Sequence, residues 1–311
     1  MIIDCVFEWD DQRYSPTTTY CKFFTKIKEL RPDIEFNFIN SVPLRVEATK
    51  NKLYFGGNSK YGVSYMMVIN QSNKKYFLVS YWDAIKDIFE AGPLINYNLS
   101  LMQELITTSG VVVDDVRFKP IPYLKYTPFS YVPNTPETEN IIETLYNLNL
   151  PKTIPDKPRF RNYPNDSFRR YIMQDSRFDS IDKREHILSP ADYMAELNQH
   201  KINFSANGHA EICHRDMEIL GLGNVLLRTK LVTKFHNELI PNYHYIAVDV
   251  KDFTDHKAIT DKIIDKYNEI KNDTALLDFI GKNGREWYVN NGTSAANADV
   301  LTKILDFNKL K

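Results

Sequence analysis

The chain has 311 residues, 43% of them hydrophobic and 25% charged, with a formal net charge of −1. That length suits two ordinary domains, each with its own core. The near-neutral balance gives no general electrostatic grip on nucleic acid, leaving room only for a local basic groove. Three cysteines, Cys5, Cys21 and Cys213, form neither a C-x-x-C pair nor a metal spacing, and they read as buried free thiols suited to a reducing cytosol. Asp4 interrupts the first apolar run, where a signal peptide needs continuity. No run approaches the ~20 apolar residues of a membrane span. The expectation is a cytoplasmic protein with no transmembrane segment.

In chain order, residues 1–9 form the first strand candidate. Thr17 to Thr19 can cap a helix whose Tyr20, Phe23, Phe24, Ile27 and Leu30 make a core-facing stripe, and Pro32 stops it. Residues 34–39 alternate as a second strand, and 52–55, 62–69 and 76–81 are rich in aromatic and β-branched residues. Short helices are expected at about 82–90 and 99–107, and a strand at 110–113. Strands alternating with helices argue for a parallel sheet. The close spacing between 51 and 81 leaves a local hairpin as the alternative.

Prolines through 118–136 mark a loop or linker, a helix follows at about 137–147, and 150–158 is again proline-rich. The expected division is an N-terminal domain over 1–135, a linker region over 136–158, a second domain over 159–294 and a closing helix over 295–311. The second half opens with Arg159-Phe160-Arg161-Asn162-Tyr163 and then Phe168-Arg169-Arg170-Tyr171. Arg161 and Arg169 suit a diphosphate, because guanidinium bonds phosphate oxygens bidentately. A basic surface helix is the plainer reading, and both stand. Ser189-Pro190 is a helix start, with Tyr193, Met194 and Leu197 on its buried face.

Residues 201–227 then read as strand, tight loop, helix, glycine-rich turn and strand. Asn207-Gly208-His209 is turn chemistry. On the helix, Cys213, Met217 and Leu220 fall at i, i+4 and i+7, with His214, Arg215 and Glu218 on a neighbouring charged stripe. Gly221 and Gly223 end the helix. A charged face beside a polar loop at a strand end is where ligands bind in an open α/β sheet. The plainer reading is an ordinary βαβ unit with Arg215 and Glu218 as a helix-face ion pair.

Three segments act together: Ser205-Ala-Asn-Gly-His-Ala, Arg215-Asp-Met-Glu218-Ile-Leu-Gly-Leu-Gly, and Leu239-Ile-Pro-Asn-Tyr-His-Tyr-Ile-Ala-Val248 with Asp252-Phe-Thr-Asp255 after it. As a set they resemble the donor-binding half of GT-B glycosyltransferases of the capsule-associated and protein O-glucosyltransferase group. Spore-coat-maturation and exostosin-like glycosyltransferases share a looser pattern. The resemblance runs from about 158 to 289 and leaves the first half almost untouched. The Arg159–Tyr163 opening is similar to an F-R-G motif of related domains, with Asn162 in place of the glycine.

The resemblance implies an α/β GT-B-like fold: two Rossmann-like domains with parallel sheets facing a cleft, and a final helix crossing back. It implies transfer of a sugar from a UDP- or GDP-linked nucleotide-sugar donor to a glycan, lipid or protein hydroxyl, with no further cofactor. Glu218 is expected on the donor ribose hydroxyls. Arg215, with Arg161, Arg169 and the backbone of Asn207, Gly208 and His209, is expected at the diphosphate. The acidic pairs Asp10-Asp11 and Asp114-Asp115 are adjacent, not Asp-x-Asp, so the expectation is metal-independent transfer. A general base for the acceptor hydroxyl is expected from the first domain, at Asp83 or at Asp10 or Asp11. Two alternatives are a virus- or phage-type DNA-base glycosyltransferase, which the charge disfavours, and a non-catalytic nucleotide-sugar-binding protein.

Overall fold

The computed structural model describes residues 2–8, 21–40, 52–58, 63–70, 75–80, 136–160, 167–180, 188–206, 214–231, 237–250 and 255–304. Asp10, Asp11, Asp83, Arg161, Asn207, Gly208 and His209 lie outside these residues, as do the elements expected between 82 and 113.

The first part contains β1 (Ile2–Glu8), α1 (Cys21–Leu30), β2 (Glu35–Asn40), β3 (Lys52–Asn58), β4 (Val63–Asn70) and β5 (Lys75–Ser80). On α1 the buried residues are Phe23, Phe24 and Ile27, whereas Leu30, expected on the same stripe, is exposed in the last turn and Tyr20 lies outside the described residues. The strands form one sheet in the order β2-β1-β3-β4-β5. β1 runs parallel to β2 and β3, whereas β3, β4 and β5 form an antiparallel meander. This corrects the expectation of a parallel sheet here. The links from β3 to β4 and from β4 to β5 are too short for a crossover, which needs roughly a dozen residues or more. The hairpin alternative is the one observed.

The remaining elements are α2 (Pro136–Asn147), β6 (Arg159–Phe160), α3 (Ser167–Gln174), β7 (Asp179–Ser180), α4 (Pro190–Asn198), β8 (Ile202–Phe204), α5 (His214–Gly221), β9 (Val225–Thr229), β10 (Ile246–Val248), α6 (His256–Ile270), α7 (Thr274–Asn291) and α8 (Ser294–Ile304). β8, β9 and β10 make a parallel three-stranded sheet with β9 in the centre. Phe204 aligns with Leu227, and Leu227 aligns with Ile246.

Strand alternation sorts the two faces of this sheet. Ile202, Phe204, Val225, Leu227, Ile246 and Val248 share a core with Ile172 of α3 and with Ile259, Ile263 and Tyr267 of α6. Leu226 points the other way, into a core with Met194 and Leu197 of α4, Met217 and Leu220 of α5, and Trp287 of α7. β8 and β9 are buried along their whole length, as strands of a parallel sheet covered on both faces usually are, and β10 is partly open at Ala247.

The helices that flank the sheet are capped by local chemistry. Ser189 Oγ accepts the Asp192 N–H at 3.1 Å, Asp255 Oδ1 accepts that of Ala258 at 3.0 Å, and Asp273 Oδ1 accepts that of Leu276 at 3.0 Å. Each such cap stabilises its helix by about 1 kcal/mol. At the chain's end, α8 packs against α1. Glu139 of α2 joins the two: Oε1 accepts the Ser294 N–H at 2.7 Å, and Oε2 pairs with Lys22 Nζ at 3.1 Å.

Candidate functional site

β8, β9 and β10 point the same way, so their carboxyl ends form one edge, at Ser205, Lys230 and Asp249. The connection from β8 to β9 must begin at this edge and return to the opposite one. α5 makes the return run, which places His214 and Arg215 near the carboxyl edge. Gly221 and Gly223 lie at the far end, where Gly223 takes φ +66° and turns the chain into β9. α4 also runs away from the carboxyl edge, because it leads into the start of β8. Its first turn therefore brings Tyr193 beside Arg215 and Glu218.

The three side chains are in contact. Arg215 Nε donates to Tyr193 Oη at 3.4 Å, and Tyr193 Oη donates to Glu218 Oε2 at 3.2 Å. Arg215 is 7% exposed and Glu218 8%. The plainer reading of an exposed helix-face ion pair is therefore corrected: a neighbouring helix covers both side chains, and the tyrosine hydroxyl stands between cation and carboxylate. Tyr193 was read only as an apolar core residue. Helical spacing identifies its face but says nothing of what its hydroxyl meets.

Arg169 reaches the same edge from the opposite face of the sheet. It is buried on α3, and its Nη2 donates to the Ala206 carbonyl, just past the end of β8, at 3.1 Å. The plainer reading of Arg169 as part of a basic surface helix is thus excluded for this side chain. The neighbouring Arg170 is exposed.

Beneath α5, Asp216 and Arg228 form an ion pair in which each side chain is 1% exposed. Arg228 lies on β9, on the face that carries Leu226, and its Nε also donates to the Thr229 carbonyl at 3.2 Å. The sequence reading missed this pair. An arginine inside the apolar strand Val225–Thr229 was the available signal, since a charge on a buried strand needs a partner.

His214 opens α5. Desolvation pushes its imidazole down to about 4, so it is neutral at pH 7. His244 sits in a turn before β10, not in a strand, and its Nδ1 accepts the Ile240 N–H at 2.8 Å. Burial lowers its pKa as well, so it serves the turn as a neutral acceptor. Among the described residues, no three His, Cys, Asp or Glu side chains are grouped to hold a metal ion. Among the same residues, no helix is long and apolar enough to cross a membrane.

The arrangement offers a ligand one buried carboxylate and two buried guanidinium groups around the carboxyl edge of a parallel sheet. A carboxylate accepts from vicinal hydroxyls, and guanidinium groups donate to phosphate oxygens.

No family model matches the chain, and no curated protein matches it. Among solved structures, the chain is similar to sucrose-phosphate synthase from Thermosynechococcus elongatus at 15% identity, with a TM-score of 0.34. The match covers 56% of this chain and 42% of that one, so the chain spans less than half of that protein's length. A likeness this slight bears neither on fold nor on activity.

Proposed function

We propose that the chain is a nucleotide-sugar-dependent glycosyltransferase whose donor lies at the carboxyl edge of the three-stranded sheet. The observation that carries this reading is the buried Arg215–Tyr193–Glu218 contact at that edge. In this reading Glu218 accepts from the donor ribose hydroxyls. Arg215 and Arg169 donate to the diphosphate, with Arg161 and the backbone of Asn207, Gly208 and His209 completing the site.

Breaking the anomeric C–O bond leaves negative charge on the departing diphosphate. Cationic groups held in advance at that position stabilise the transition state more than the ground state. Two or three guanidinium groups supply this charge without a metal ion, which keeps metal-independent transfer the preferred form. The acceptor hydroxyl, on a glycan, lipid or protein, must lose its proton as the new bond forms. Asp83 is the proposed base, with Asp10 and Asp11 next. The net charge of −1 disfavours a DNA acceptor.

The experiment is incubation of the full chain with UDP- and GDP-sugars, followed by measurement of nucleotide release with and without acceptor mixtures. Release by the wild type, and its loss in Arg215→Met, is the expected result. Binding without release would leave a nucleotide-sugar-binding protein as the better reading.

A further inference from the structure

Every residue of α5 from Arg215 to Gly221 is buried. A surface helix is fixed in rotation by its apolar stripe, because turning it exposes apolar groups and buries polar ones. α5 has no solvated face and lacks that restraint. The apolar burial of Met217, Ile219 and Leu220 is non-directional. Directional polar contacts add the restraint that sets how the helix is turned.

The Tyr193 contacts are long, at 3.4 and 3.2 Å, and lie at the tips of the side chains. Arg228 is held more firmly. It stands on the central strand of the sheet, donates through Nε to the Thr229 carbonyl, and donates through Nη1 to Asp216. Asp216 directly follows Arg215 and precedes Glu218 by two positions. At about 100° per residue, Arg215 and Glu218 lie about 60° apart on the side of α5 that faces α4, while Asp216 faces the sheet. Fixing Asp216 on Arg228 fixes the direction of the other two.

We propose that Asp216 and Arg228 are positioning residues: their buried pair sets the rotation of α5 and so aims Arg215 and Glu218 at the donor. This rests on the donor-site reading above. Stability alone does not account for the pair, because shape-matched apolar replacement of a buried ion pair is commonly neutral or stabilising.

The test uses the full chain as Asp216→Leu/Arg228→Met, which removes both charges and keeps volume, and as Arg228→Lys, which keeps the charge balance but loses the planar fork. Three quantities are measured: Tm, amide hydrogen exchange over residues 214–221, and affinity for UDP and GDP. In the double variant the expected result is a Tm close to wild type, with exchange in α5 faster and nucleotide binding weaker by about tenfold or more. In Arg228→Lys both change in the same direction by about threefold or more. Wild-type exchange and affinity in either folded variant would overturn the proposal. A large fall in Tm with faster exchange throughout the chain would also overturn it, by showing a purely structural pair. If the double variant does not fold, Arg228→Lys decides through the same readouts. If neither UDP nor GDP binds the wild type, the donor-site reading fails. Exchange at unchanged Tm then decides the positioning claim alone: faster exchange confined to α5 upholds it, and unchanged exchange overturns it.

Discussion

Asp216 on α5 and Arg228 on β9 bind one another with both side chains 1% exposed. Removing one partner leaves the other charged and buried, which costs about 3–5 kcal/mol. Arg228→Ala and Asp216→Ala are each expected to destabilise the chain by that amount. Urea unfolding of the two single variants checks it, and a loss near zero in both would contradict the pairing.

Gly223 predicts a backbone effect. Its φ of +66° disfavours any residue with a Cβ, and a Cβ placed there would lie 2.9 Å from Tyr146 Cε2. Tyr146 is exposed and can shift, at the cost of its contact with the Arg285 guanidinium 4.2 Å from the centre of its ring. Gly223→Ala is therefore expected to cost about 1–2 kcal/mol from the left-handed backbone, and more if Tyr146 is displaced. The denaturation midpoint measures the loss.

His214 predicts a pH dependence. Its folded pKa of about 4 lies below the ordinary value of 6.5. Between these values the unfolded state binds the proton and the folded state does not, so stability rises with pH across this window. The contribution is complete above pH 6.5 and lost as pH falls through 4, amounting to about 3 kcal/mol. Asp33, Asp175 and Asp261 also have lowered pKa values and lose stability on acidification. The comparison that isolates the histidine is wild type against His214→Gln: the stability of the wild type relative to the variant should fall by about 3 kcal/mol as pH falls from 6.5 to 4.

Glu139 predicts a coupling between distant parts of the chain. It accepts from the first backbone amide of α8 and pairs with Lys22 of α1. Glu139→Ala removes both contacts, and the lost cap alone is expected to cost about 1 kcal/mol. Faster hydrogen exchange in α8 and α1 together, with α6 unchanged, is the expected pattern.

Much of the local structure was legible in the sequence, because it follows from periodicity and capping. The Phe23, Phe24 and Ile27 stripe, the Ser189-Pro190 start and the Gly221–Gly223 stop each depend on a few neighbouring residues. Strand order was not legible in that way. Apolar alternation in β3, β4 and β5 marks strands, but their antiparallel pairing follows from the short links between them. In the site, Arg215 and Glu218 stand out by type and spacing. Tyr193, Asp216 and Arg228 enter only through contacts between separate elements, which no window of sequence contains. The plainer reading of Arg215 and Glu218 as an exposed helix-face pair fails for the same reason: α4 covers them and Tyr193 stands between them. Asp10, Asp11, Asp83, Arg161 and the Asn207–His209 turn remain expectations, outside the described residues.

The central claim is a nucleotide site that uses Glu218, and thermal unfolding of the full chain with UDP, GDP, CMP and ADP tests it most directly. A ligand that binds only the folded state raises Tm by mass action, by about 2.7 kcal/mol of stabilisation at a hundredfold excess over Kd. One nucleotide is expected to raise the Tm of the wild type clearly and that of Glu218→Gln much less. The absence of any shift, or equal shifts in both proteins, would contradict the claim.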